Sequence, residues 1–115
     1  MRGGNLFATI TGALPDELFD VLAEGGAFKL VRIVSRGHAT PAGQWYDQPD
    51  NEWVVLLQGS AGVLLAGEDE VHVLGPGDYL FLPAHLKHRV VWTDAEQDTV
   101  WLALHYDVPS AKTNL

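Results

Sequence analysis

No cysteine occurs among the 115 residues. Disulfides, thiolate zinc sites and cysteine nucleophiles are therefore excluded together, and any metal must be held by nitrogen and oxygen donors. Basic residues are scarce as well: seven Lys and Arg stand against fifteen Asp and Glu, a formal charge of −8. That balance opposes association with nucleic acid or anionic lipid, so neither is an expected partner. No apolar run approaches the roughly eighteen residues of a membrane-spanning helix, and Met1-Arg2-Gly3-Gly4-Asn5 has no apolar segment behind its basic start. A cytoplasmic location is the matching expectation. The chain also lacks a phosphate loop, a nucleophile motif and a dinucleotide fingerprint.

What is present suits one packed core. Apolar residues make up 47% and four are Trp, enough for a single globular domain in a chain too short for two. Residues 5–13 read as a lead-in arm, with Leu6, Phe7 and Ile10 available to lie across a sheet. Over Pro15–Glu24 the pattern is helical: Pro15 suits the first turn, Asp16 and Glu17 favour the positive dipole end, Leu18, Phe19 and Leu22 share a face, and Gly25-Gly26 stops the element. After Gly26 the chain reads as strands: Phe28–Ser35, Glu52–Leu57, Val63–Ala66, Val71–Leu74, Tyr79–Leu82, Arg89–Trp92 and Thr99–Tyr106, divided by Gly, Pro and Asp clusters. Such spacing predicts an all-β sandwich or barrel. The expected divisions are an arm and short helix over residues 1–27, a barrel over 28–107 and a loose tail over 108–115.

Two stretches carry a more specific pattern. Gly77 is followed after five residues by Pro83, and His88 lies five positions beyond Pro83; in the earlier stretch Glu52 is followed after six residues by Gly59. In order and spacing these resemble the two sequence motifs of the cupin superfamily, in its small single-domain form, over roughly residues 28 to 106. The resemblance implies an antiparallel cupin β-barrel, a double-stranded β-helix or jelly roll. Departures from the pattern are also plain. His85 stands where the second motif has a Gly and Trp92 where it has an Asn. Trp45-Tyr46-Asp47-Gln48 replaces the His-x-His of the first, so Asp47 takes the second His position at the longer spacing and Gln48 at the shorter.

By position, the resemblance implies a divalent transition metal (Fe, Mn, Ni or Zn) held near the barrel mouth by Asp47, Glu52 and His88, with His85 able to swing in as a fourth ligand. It further implies a small polar organic molecule in the cavity, a dioxygenase, isomerase, lyase or decarboxylase chemistry, and a homodimer. Strand alternation supports part of this independently. If Glu52 points inward, Val54 and Leu56 follow it while Trp53, Val55 and Leu57 point out, and the same rule groups His88 with Val90 and Trp92. Glu52 and His88 are then the lone polar residues of apolar inward faces, and a buried carboxylate needs a partner.

Plainer readings stand beside these. Glu52 and His88 are also explained by a hydrogen bond in a metal-free pocket that stores or senses a ligand without turnover. Asp47 can cap a turn, and His85 can be a turn residue with positive φ. His38 and His72 read as surface residues. His105 shares a face with Trp101 and Ala103 and could reach the cavity, although no motif singles it out. Trp45, Tyr46, Trp92 and Trp101 suit a pocket wall, core packing or a dimer interface. Arg32 and Arg36 share one strand face; turned inward, they could receive a substrate carboxylate.

Overall fold

A computed structural model describes residues 3–108 as strands and loops, with no helix among them and therefore none able to cross a membrane. The strands are β1 (Leu18–Glu24), β2 (Phe28–Ser35), β3 (Asn51–Gln58), β4 (Ala61–Leu65), β5 (His72–Leu74), β6 (Tyr79–Leu82), β7 (His88–Thr93) and β8 (Thr99–Tyr106). They form a five-stranded sheet in the order β1-β2-β8-β3-β6 and a three-stranded sheet in the order β5-β4-β7, antiparallel throughout. This is the all-β sandwich expected from the strand spacing, in the jelly-roll form that the cupin resemblance implies. Residues 109–115, most of the expected tail, lie outside the described residues.

The core sits between the two sheets, where Val54, Leu56, Leu82, Trp101 and Ala103 of the larger sheet meet Ala61, Val63 and Leu74 of the smaller one. Alternation along β3 holds as expected: Glu52, Val54 and Leu56 are buried, while Trp53, Val55 and Leu57 are partly exposed on the outer face. The last strand, β8, is hydrogen-bonded between β2 and β3 at the centre of the larger sheet.

The helix expected over residues 15–24 is instead the edge strand β1. It pairs with β2 from Leu18↔Val34 to Glu24↔Lys29, and the register shifts between Val21 and Ala23. Leu22 is thus an extra residue that breaks the two-residue period, and this break mimics helical spacing of Leu18, Phe19 and Leu22. A helix of that length is marginal alone, whereas as an edge strand the segment gains a ladder of backbone bonds to β2. Gly25-Gly26 does end the element, as the turn of the β1–β2 hairpin.

A second bulge alters the site. On β7, Val90 pairs with Val63 but Trp92 pairs with Gly62, so Val91 is the extra residue and the inward face passes from His88 and Val90 to Thr93. Trp92 therefore faces out and does not join His88 and Val90 as expected. Its indole lies on Gly62, where an added Cβ would fall 2.3 Å from Nε1. Gly59, the last residue of the first motif, has φ +86 and would place a Cβ 2.8 Å from Cα of Thr99, so the motif spacing marks a close crossing of β3 and β8.

Arg32 and Arg36 lie on the outer face and tie the N-terminal arm to the sheet. Arg32 binds Asp20 at 2.5 Å and the Leu6 carbonyl at 3.3 Å. Arg36 binds Asp98 at 2.7 Å and donates to the carbonyls of Gly12 and Ile10. Neither arginine reaches the interior.

Candidate functional site

Between the sheets lies a cavity of about 90 Å³, walled mainly by Phe19, Ile33, Val54, Val63, Leu80, Leu82, Val90 and Trp101. Its polar lining comes from Glu17, Tyr46, Gln48, Glu52, His88 and His105. Neighbouring strands bring three of these together. Glu52 of β3 pairs directly with His105 of β8, and both side chains turn inward. His88 enters from β7, at the rim of the opposite sheet.

Glu52 and His88 are both buried, with side chains 8% exposed. Glu52 Oε1 lies 3.8 Å from His88 Nε2, and Oε2 lies 3.9 Å from His105 Nε2. Both separations exceed hydrogen-bond length, so the three groups face one another without bonding directly. The His88 ring is fixed from behind, because Nδ1–H donates to the Leu86 carbonyl at 3.0 Å. In the neutral ring that leaves a lone pair on Nε2, aimed at the carboxylate. His105 Nδ1 lies 3.6 Å from Asp50 Oδ1.

Tyr46 frames the same centre. Its backbone exchanges two hydrogen bonds with His88, at 2.8 and 3.1 Å, and the rings stack with centroids 5.5 Å apart. Burial pushes the Tyr46 hydroxyl above the ordinary phenol value, and the charges of Glu17 and Glu52 push the same way. Burial likewise raises the Glu52 carboxyl; His105 and His88 oppose that rise and Asp50 reinforces it. Glu17 is oriented by Ser35, whose hydroxyl donates to its carboxylate and accepts from Trp101 Nε1 at 3.2 Å.

The four residues expected at a metal fall into two places. Glu52 and His88 line the cavity. Asp47 and His85 do not: His85 Nδ1–H donates to Asp47 at 2.9 Å in a pair whose side chains are 42% (Asp47) and 69% (His85) exposed. His85 has φ 64, the left-handed conformation of the turn reading, and its amide donates to the Gln48 carbonyl. Of the two spacings open for the first motif, the shorter is the one facing inward, since Tyr46 and Gln48 line the cavity. His38 is satisfied in its loop between the Arg36 amide and the Pro15 carbonyl, and His72 pairs with Glu68 at 2.8 Å near the surface.

Three lining residues carry no motif of their own. The signal for His105 is only its shared face with Trp101 and Ala103. Glu17 has the sequence position of a helix-dipole residue, and Gln48 is one of two registers. In donor chemistry, Glu52, His88 and His105 suit a borderline divalent cation, and the backbone anchor on His88 Nδ1 is the support such a ligand needs. Among the described residues, however, no three His, Asp or Glu side chains converge closely enough to form a ready-made metal cage.

Residues 33–105 match the family model described as a cupin domain. A candidate mannose-6-phosphate isomerase from Ralstonia eutropha JMP134 is 48% identical, with a TM-score of 0.90 over 94% of this chain and 100% of that one. A DMSP lyase from Ruegeria pomeroyi DSS-3 is 25% identical, with a TM-score of 0.61 over 76% of this chain and 42% of that one. Among curated proteins, 67 residues are 33% identical to a 70 kDa DNA-binding subunit of replication protein A from Oryza sativa subsp. japonica, covering 58% of this chain. The chain spans about a tenth of the length of that relative.

Proposed function

The chain belongs to the cupin family, and from that premise we propose that its cavity binds a small organic molecule whose polar group sits between Glu52 and the imidazoles of His88 and His105. The observation that carries this reading is the gap itself. The buried Glu52 carboxylate faces His88 Nε2 at 3.8 Å and His105 Nε2 at 3.9 Å, and none of these facing atoms has a direct hydrogen-bond partner among the described residues. A bound hydroxyl, amine or water fills such a gap by bonding to both sides.

The chemistry suited to this centre is proton transfer. The Glu52 carboxylate, whose hold on a proton burial strengthens, can take a proton from a carbon or oxygen of the ligand and return it to a neighbouring atom. Isomerisation needs both steps, whereas elimination needs the first, with the proton then passed to a leaving group that would otherwise depart as an anion; the Ralstonia and Ruegeria relatives carry the names isomerase and lyase. A phosphorylated sugar suits the cavity poorly, because its lining contains no Lys or Arg to receive the phosphate. The non-catalytic alternative keeps the same pocket as a binding or sensing site.

A second reading is favoured by the lone pair on His88 Nε2 that faces a carboxylate. A divalent Fe, Mn, Ni or Zn between them would be held by Glu52 and His88, with His105 completing the set and Asp47 and His85 left at the rim. When bound, such an ion supplies Lewis-acid polarisation of a ligand oxygen. One experiment separates the readings: measure metal per chain and small-molecule binding by calorimetry for the parent, Glu52→Gln and His88→Ala. Proton-transfer binding requires ligand heat in chelator-treated parent, lost by about tenfold or more in Glu52→Gln. Ligand binding that returns only with added metal selects the second reading, and unchanged binding in both variants removes the site.

The homodimer implied by the family resemblance would use the outer face of the larger sheet. Trp53, Val55, Tyr79, Phe81, Leu102 and Leu104 are cross-strand neighbours there, with Tyr79 63% and Phe81 50% exposed and no charge among them. A second copy is the occupant proposed, since an uncharged, self-complementary face is what two chains of −8 charge can bring together. Phe81→Glu shifting a dimer to monomer in light scattering supports this; a monomeric parent contradicts it.

A further inference from the structure

Resting on the cavity reading above, we infer that this cavity selects small organic cations, primary ammonium ions foremost, and turns anions away. Two carboxylates face the space, Glu17 and Glu52, while no Lys or Arg lines it. The described arginines with a partner are engaged outside it: Arg32 on Asp20, Arg36 on Asp98, and Arg89 over the Trp45 ring at 5.9 Å.

Acidic residues alone would not make a site, but Glu52 adds a second observation. Its side chain is buried, 8% exposed, it points into the cavity, and no hydrogen bond among the described residues satisfies it. The facing atom, His88 Nε2, is an acceptor in the neutral ring because Nδ1–H is committed to the Leu86 carbonyl. With Glu52 ionised, two acceptors then stand 3.8 Å apart, and a donor that bonds to both satisfies them. An anion or ether brings only further acceptors. A primary ammonium group brings three N–H donors and a charge that offsets the buried carboxylate.

At the other side Glu17 is held ready by the Ser35 hydroxyl, itself backed by the indole N–H of Trp101. Phe19, Tyr46 and Trp101 contribute aromatic rings to the wall, which attract cations. The remaining wall is aliphatic, so the rest of the ligand is a short hydrocarbon. A volume of about 90 Å³ makes the cavity a small one, suited to a small ligand.

The test compares isobutylammonium chloride, isobutyl alcohol and sodium isobutyrate, three probes of one carbon skeleton and different charge, by calorimetry at about pH 8. The ammonium ion is expected to bind at least about tenfold more tightly than the alcohol, with no measurable heat from isobutyrate or inorganic phosphate. Glu52→Gln and Glu17→Gln should each weaken the ammonium ion by about tenfold and leave the alcohol within about twofold. Isobutyrate or phosphate binding as tightly as the ammonium ion overturns the inference. Equal binding of ammonium and alcohol, or an ammonium preference kept in both variants, overturns charge selection while leaving the cavity reading in place. Failure of all probes with the parent protein overturns both.

Discussion

Two of the molecule's carboxylate–imidazole pairs look alike on paper and differ in every physical respect. Asp47 and His85 are exposed, touch at 2.9 Å and satisfy each other. Glu52 and His88 are buried, stand 3.8 Å apart and leave their facing atoms unbonded. In water a direct pair is worth little, because solvent competes for both charges. Out of water an incomplete pair is costly, and a fold keeps such a centre where something else completes it. Proximity of opposite charges is thus a poor guide to a working site; burial with an unmet bond is the better one.

His88→Ala should separate the pairs most strongly. It removes the bond to Leu86, the stack on Tyr46 and a buried side chain, for a loss of about 2–3 kcal/mol in urea unfolding. A loss below about 0.5 kcal/mol would mean that His88 is no more embedded than His85. Glu52→Gln tests the electrostatic half. A carboxyl raised in the folded state binds more protons there than in the unfolded chain, so its contribution is greatest at acid pH and is lost as pH rises through its folded value. Removing the charge should raise Tm at pH 8 relative to the parent and give no gain at pH 4. A gain that grows toward acid pH would reverse the sign and contradict burial as the dominant influence.

Smaller effects are expected at the rim. Asp47→Ala and His85→Ala should each cost under about 1 kcal/mol, with a coupling energy in the double-mutant cycle below about 1 kcal/mol, reduced further by salt. Coupling above about 2 kcal/mol would place the rim pair in the same class as the buried one. His85→Gly is the smallest change. Relief of a left-handed non-glycine residue at φ 64 outweighs the lost exposed bond, for a gain of a few tenths of a kcal/mol in thermal unfolding. Clear destabilisation would show that the Asp47 contact holds the turn.

Much of the frame was legible because it is local. Phe28–Ser35, Tyr79–Leu82 and Thr99–Tyr106 announce themselves by composition and by the turns beside them, and two-residue alternation sets the inward face of β3. What escaped was created by pairing between distant segments. Leu22 in β1 and Val91 in β7 are bulges, visible only against the partner strand, and they turned an edge strand into an apparent helix and moved Trp92 to the outer face. His105 belongs to the site because β8 pairs with β3 in the register that sets it opposite Glu52. No property of His105 itself announces that register. The motif spacing marked Glu52 and His88, and the same spacing could not tell Asp47 from Gln48, because a shift of one residue along an extended chain exchanges inside for outside.

On the reading proposed above the ligand sits at the buried centre rather than the rim, and the five histidines of the chain report on that directly. The measurement is side-chain nitrogen NMR of all five imidazoles while isobutylammonium chloride is added at about pH 8. His88 and His105 should move together and saturate with one affinity, and His38, His72 and His85 should stay still. Movement of His85 with His88 and His105 unchanged would put the ligand at the rim and contradict the account.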